Sequence, residues 1–374
     1  MPTDFGLILP PWNFATTAGN LLDRVVGEVG IDHLTVPVVT GEVAQFRLAG
    51  GFPSPHFFTE GGWHFQPELP LYKACGLRPP VARWCGKRDT LGPIQEYAQR
   101  HGLKLLFALH LADLKGIAGQ QPGLCPCNAW GDELAWQGAS AFHPAWRELL
   151  GATLADLTRY APAGFVLGGL WHEVWVGDAA DSWDDLEEWF DASFSSAALQ
   201  TARQAGVDVD AARQAVQRLY AERQRAGMGG ETTDAGPRLP PALLEYERAL
   251  RDDLAAWLTR LRQEYASLRM LCVPVHNLVT PGWETLRRPL CDWLDSAALA
   301  DWFAEDVPEP SKTALLLSAE EAEGGDAGAF VRAVTAAVRA GVRSVSFEDA
   351  ELVPDQFVTW LKQAVRYARR EGCS

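Results

Sequence analysis

The feature that most limits what this chain can fold into is a recurring order, a helix of amphipathic spacing followed at once by a short apolar run. Thr90 to His101 has helical spacing, stops at Gly102, and leads into Leu103 to Leu109. The same order returns at Arg147 to Tyr160 before Phe165 to Leu170, at Leu243 to Tyr265 before Met270 to Val275, and at Phe330 to Ala340 before Val342 to Phe347. Leu21 to Val29, stopped by Gly30, precedes His33 to Val39. Short continuous apolar runs are the habit of strands buried on both faces, and helices alternating with them build right-handed βαβ units on a parallel sheet. With Phe5 to Leu9, Leu299 to Ala304 and Thr313 to Leu317, the count reaches eight strands. Eight is the number at which such a sheet closes into a (β/α)8, or TIM, barrel.

The fourth strand carries the most pointed chemistry. In Gly164 to Trp175, GFVLGGLWHEVW, an apolar run ends in His172 and Glu173 flanked by Trp171 and Trp175. Polar residues at the C-terminal end of a strand lie where such barrels gather their active-site loops. About a hundred residues separate this strand from the fifth, far more than the few usual for such a connection. That insertion opens acidic, Asp178 to Asp191 with Trp183 and Trp189 interleaved, and ends in a Gly-rich break from Gly227 to Pro241. The expectation is one barrel domain over residues 1–374, with a helical insertion at 171–241 lying over the C-terminal mouth. The Gly-, Pro- and aromatic-rich stretch after the second strand, to about Tyr72, is a candidate lid, with His56 and His64 as loop histidines that more often pack than bind metal.

Composition narrows the class of ligand. Of 374 residues 47% are hydrophobic and 22% charged, enough apolar material for a sizeable core. A net charge of −15 argues against nucleic-acid or anionic-membrane surfaces, which need clustered Lys and Arg. Fifteen Trp supply broad faces on which sugar-like rings stack, although many fill core space. Seven Cys, scattered and odd in number, suit a reducing cytoplasm, and Cys125-Pro-Cys127 has the wrong spacing for a zinc knuckle or a thioredoxin motif. The first residues carry no secretory-signal pattern, and no run is long enough to span a bilayer. No phosphate loop, G-x-S-x-G elbow or dinucleotide fingerprint is present, so no cofactor is called for.

LHL at Leu109 to Leu111, NAWGD at Asn128 to Asp132 and FHPAWRELLGATLADLTRYAPAGFVL from Phe142 to Leu167 carry a family resemblance. Over Leu105 to Leu167 the chain resembles a group of largely uncharacterised bacterial glycoside-hydrolase-like (β/α)8 barrel proteins. The resemblance implies a carbohydrate-active enzyme, with apolar residues and Glu alternating on the strand after that helix. Here the matching positions are Val166 and Gly168, a departure from that pattern.

Glycoside hydrolysis uses two carboxyl groups, one protonated and one ionised, so strand-end carboxylates are the candidates. Glu173 follows the fourth strand, Glu305 and Asp306 the sixth, Glu320 and Glu321 the seventh, and Glu348 with Asp349 the eighth. Any one of these serves as readily to cap a helix or pair with Arg. Position selects Glu173 and Glu348 as the catalytic pair. In the eighth strand Val345 and Phe347 alternate with Ser344, Ser346 and Glu348, so Glu348 points into the mouth if the bulky pair faces the helices. Glu173, set among apolar and aromatic neighbours, is expected to have a raised pKa suited to a general acid. Substrate-binding candidates are His110, Asn128, Asp132, His172, Trp12, Trp63, Trp130 and Trp171, with an Asx turn as the alternative for Asn128 and Asp132. Two other readings stay open: a catalytically silent sugar-binding barrel, and a metal-assisted sugar isomerase or lyase using His110, His172, His276 and a carboxylate. The partner in each case is a small-molecule carbohydrate.

Overall fold

The computed structural model describes residues 3–17, 21–47, 54–111, 114–169, 193–227, 239–272, 292–296, 313–318, 327–348 and 355–371. In chain order the strands are β1 (Asp4–Ile8), β2 (His33–Thr40), β3 (Val43–Phe46), β4 (His56–Thr59), β5 (Gly62–Trp63), β6 (Lys104–His110), β7 (Gly164–Gly168), β8 (Arg269–Cys272), β9 (Asp292–Ser296), β10 (Thr313–Ser318) and β11 (Ser344–Glu348). Parallel pairing runs β1, β11, β10, β9, β8, β7, β6, β2, and β1 also pairs with β2. The result is a curled, mostly parallel α/β sheet, in keeping with a TIM-like architecture.

Alternation within the strands explains why both faces are buried. Phe5 and Leu7 of β1, Leu34 and Val36 of β2, Leu105, Phe107 and Leu109 of β6, Phe165 and Leu167 of β7, and Val345 and Phe347 of β11 join one large apolar cluster. Helix residues such as Ile94, Leu149, Leu154, Phe330 and Leu361 belong to the same cluster, so this strand face looks outward to the helices. The intervening positions Leu106, Val166 and Ala314, with Ala108 and Leu316 against them, form a separate small cluster on the inner face. At about 25 cal/mol per Å² of apolar surface removed from water, the outer layer supplies most of the folding drive.

The helices begin and end where local chemistry dictates. Pro144 opens the helix Pro144–Leu157, and the His143 ring accepts a hydrogen bond from the Ala145 N–H at 3.3 Å. The helix Gly92–His101 stops at Gly102, whose φ of 68° suits a residue without Cβ. The segment Leu21 to Val29 is helical as its spacing predicts, but its second half, Val25–Val29, is a π-turn.

Two expectations need correction. The sixth strand is β9, Asp292–Ser296, which pairs with β8 and β10, whereas the run Leu299 to Ala304 lies outside the described residues. Asp292, Asp295 and Ser296 break the apolar continuity that marks the other strands, so this one does not announce itself. The stretch after β2, the candidate lid, is not loop throughout. It holds the antiparallel hairpin β3–β4 and the short β5, which adds to β2 in antiparallel register, Val39 opposite Trp63. Among the described residues no helix is long and apolar enough to cross a membrane.

Candidate functional site at the strand ends

The register decides which strand-end side chains share the inner face. Val345 and Phe347 point outward, the Phe347 ring lying 5.8 Å from Phe330. Ser346 points inward, where its Oγ lies 3.1 Å from His33 Nε2. Glu348, two residues beyond Ser346, therefore projects on the inner face at the C-terminal end of β11, half-buried and opposite Ser318 of β10. On β6 the same parity carries Leu106, Ala108 and then His110, which is exposed and opposite Gly168 of β7. Glu348 and His110 thus end on one face at one end of the sheet. β7 turns Gly164, Val166 and Gly168 to that face and brings no carboxylate to it.

Below this rim lies a polar floor. His33, the first residue of β2, is 1% exposed and lies across Gly6, where an added Cβ would meet its Nε2 at 1.9 Å. Only glycine fits at that position. Burial pushes the His33 imidazole down to about 3, the positive charge of Arg269 acts in the same sense, and Asp4 opposes it. Asp4 itself pairs with Lys104 at 2.8 Å. A polar layer set below the C-terminal rim serves the frame and not the chemistry.

Beside the mouth an aromatic group packs around His64. Trp12, in the short helix Pro11–Thr17 that follows β1, stacks on Phe57 of β4 at 5.1 Å and 11°. It meets His64 edge-on at 4.8 Å. Trp84 Nε1 donates to His64 Nδ1 at 3.0 Å, and His64 Nε2 lies 2.7 Å from Thr40 Oγ1. An indole N–H can only donate, so Nδ1 is the acceptor and Nε2 carries the proton, donating to Thr40, whose hydroxyl passes on to the Gly41 carbonyl at 2.9 Å. Burial holds this ring down at about 3 and therefore neutral. Gln45 Oε1 accepts from both Trp12 Nε1 at 3.2 Å and Asn13 Nδ2 at 3.0 Å, locking the hairpin to the end of β1.

The remaining candidates separate clearly. Trp63 is 1% exposed and its indole donates to Thr153 Oγ1 at 3.2 Å, so it offers no face to a ligand; it is a core residue because β5 carries it under the helix Pro144–Leu157. Asn128 Oδ1 accepts from the N–H groups of Trp130 and Asp132 at 3.0 and 2.9 Å, and its amide donates to the Asp132 carboxylate at 3.1 Å. That pair makes an Asx turn, with Asn128 and one Asp132 oxygen engaged inside it. Trp130 is 44% exposed at the tip of this turn and meets Tyr220 at 5.1 Å, in the helix Val209–Gly227. Glu173, His172, Trp171 and His276 lie outside the described residues, as do Glu305, Asp306, Glu320, Glu321 and Asp349. Among the described residues no group of three or more His, Cys, Asp or Glu is arranged to hold a metal ion.

The sequence matches no protein-family profile and no curated protein. Solved structures do share the fold. β-Galactosidase from the psychrophilic Marinomonas ef1 superposes with a TM-score of 0.53 at 10% identity, covering 97% of this chain and 59% of that one. The β-galactosidase of the haloarchaeon Halorubrum lacusprofundi gives 0.54 at 12% identity, covering 97% and 58%. The C-terminal domain of a putative chitinase from Desulfitobacterium hafniense DCB-2 gives 0.50 at 8% identity and covers 100% of both. The likeness is one of fold. This chain spans less than two thirds of the length of the two β-galactosidases.

Sequence reasoning missed Gln45, Phe57 and Trp84 as partners of Trp12. The signal was there in Val43 to Phe46 and His56 to Thr59, two short aromatic-bearing runs of strand propensity flanking a Gly- and Pro-containing connection, the pattern of a hairpin.

Proposed function

We propose that this chain is a (β/α)8 glycoside hydrolase that works at the C-terminal mouth of the barrel, with Glu173 as general acid and Glu348 as nucleophile or base. The observation that carries the reading is the inward parity of Glu348 at the end of β11, on the same face and end as His110. The shared fold with β-galactosidases and a chitinase domain supports a carbohydrate substrate by analogy of fold alone. In this scheme Glu173 gives its proton to the leaving oxygen, Glu348 attacks the anomeric carbon or activates a water, and His110 binds a sugar hydroxyl. Trp130 and Trp171 belong to loops around the mouth, Trp12 to the short helix after β1, and the insertion at 171–241 roofs it.

Glu348→Gln and Glu173→Gln keep size and hydrogen-bonding capacity while removing the carboxylate. Each variant is expected to fold normally and to lose at least a hundredfold in kcat on natural galactosides or N-acetylglucosaminides, whose leaving groups need protonation. The loss in Glu173→Gln should shrink where the leaving group needs no protonation. Parental rates in both variants would remove the pair from the mechanism.

A second reading rests on β7, whose inner face holds Gly164, Val166 and Gly168. A barrel that binds sugars without cleaving them needs no carboxylate there. Calorimetric binding of sugars by a parent protein that turns over no glycoside would select it.

A further inference from the structure

We propose that the outward face of the β3–β4 hairpin is an outlying subsite for a sugar ring of an extended oligosaccharide, so that the substrate is a chain and not a single glycoside. The proposal rests on the glycoside-hydrolase reading for its substrate class. The hairpin register places Gln45 opposite Phe57 on one face, and Ala44 opposite Phe58 and Phe46 opposite His56 on the other. The first face is consumed by anchoring. Phe57 stacks on Trp12, and the Arg47 guanidinium lies 4.7 Å over its ring.

The second face is open. Phe58 is 60% exposed and Phe46 51%, although each stands beside a neighbour on a sheet only two strands wide. Phe46 and His56 lie 4.9 Å apart, so an apolar ring is bordered by an imidazole edge able to donate or accept a hydrogen bond. An apolar plane with a polar border matches a pyranose, whose C–H face is apolar and whose hydroxyls lie at its rim. Position agrees, because the hairpin leaves the C-terminal end of β2 and is locked through Trp12 to the end of β1. Both are strand ends of the proposed mouth.

Size decides between a sugar and a protein as occupant. Two aromatic side chains of roughly 200 Å² each, about half exposed, offer roughly 200 Å² between them. A stable interface with a second copy needs roughly 800 Å² per partner. The patch falls short of that by a factor of about four and is of the scale of one or two sugar rings.

The test is calorimetric titration of the full chain with β-1,4-galacto-oligosaccharides and N-acetylchitooligosaccharides of two to six rings. In the parent, affinity for one series should rise about tenfold between two and six rings. In the double variant Phe46→Ala, Phe58→Ala the ratio of six-ring to two-ring affinity should fall about tenfold, while Phe46→Tyr, Phe58→Tyr keeps it. A double Ala variant with the parental ratio overturns the subsite, as does an equal loss at both lengths, which marks a merely structural role. Absence of binding to either series overturns it too. A dimer in sedimentation that the Ala substitutions dissolve overturns it in favour of a second copy. Length-dependent binding without any turnover sustains the subsite while ending the hydrolase reading, so the two failures are distinguishable.

Discussion

His64 and His33 are both buried neutral, and that makes the fold acid-sensitive. Each imidazole is held at about 3 in the folded protein, mainly by burial, against about 6.5 in the unfolded chain. Below pH 6.5 the unfolded state therefore takes up protons that the folded state refuses. Stability is full above that value and falls by about 1.4 kcal/mol per pH unit for each His as the pH drops toward 3. Between pH 7 and pH 5 the two residues together should cost about 4 kcal/mol, read as a fall in the urea unfolding midpoint. His64→Gln should remove about half of that fall, and an unchanged fall would show that His64 is not its source. At this scale the sequence was partly legible. The inward parity of Glu348 follows from the Ser, Val, Ser, Phe alternation before it, because period-two geometry is local. The burial of Trp63 was not, since it depends on an antiparallel strand that pairs with β2 across more than twenty residues of chain.

Among the elements, the chain beyond β5 shows how a connection that belongs to no strand is held. Asp156, on the helix Pro144–Leu157, has its side chain fully buried and receives the Glu68 N–H at 2.8 Å and the Tyr72 hydroxyl at 3.0 Å. Arg159 closes the set at 2.7 Å from the other carboxylate oxygen. Burial raises the pKa of Asp156, and the Glu68 N–H, Arg159 and Tyr72 work against that rise. Asp156→Asn should cost about 2 kcal/mol, because a fully buried acceptor of the Glu68 N–H and the Tyr72 hydroxyl loses its charge and Arg159, which also pairs with Glu68, loses one of its two carboxylates. Chemical denaturation measures this, and a cost within 0.5 kcal/mol of zero would show the staple to be unimportant. Nothing in the spacing of Glu68, Tyr72 and Asp156 announces the contact, whereas the helix that carries Asp156 was plain from its apolar period. The sixth strand marks the same boundary of legibility. A strand with Asp or Ser at three of its five positions is read only through its neighbours' pairing.

For the whole molecule, the order of helices and strands was legible because each βα unit repeats one physical pattern, but the fit of the insertion to the curled sheet and its helices was not. The described part of the insertion does not stand apart from the frame. Phe194, Leu199, Val216 and Leu219 share one apolar cluster with Leu149, Phe165 and Tyr265. Phe194 stacks on Tyr246 at 4.8 Å, and the Tyr246 hydroxyl donates to the Ser193 carbonyl at 2.6 Å, joining the first described residues of the insertion to the helix Pro241–Glu264. Gln217 also donates to the Ala129 carbonyl at 3.0 Å, reaching the loop that follows β6. A shared core makes the two parts unfold together, since neither can lose its apolar contacts without exposing the other's. Scanning calorimetry should therefore show one transition. Phe194→Ala removes a ring from the joint and should cost about 3 to 5 kcal/mol, lowering the midpoint of that single transition by roughly 5 °C. A transition that splits in two, in the parent or in the variant, would mean that residues 193–264 form a separate folding unit, and the idea of an insertion built into the roof of the mouth would go with it.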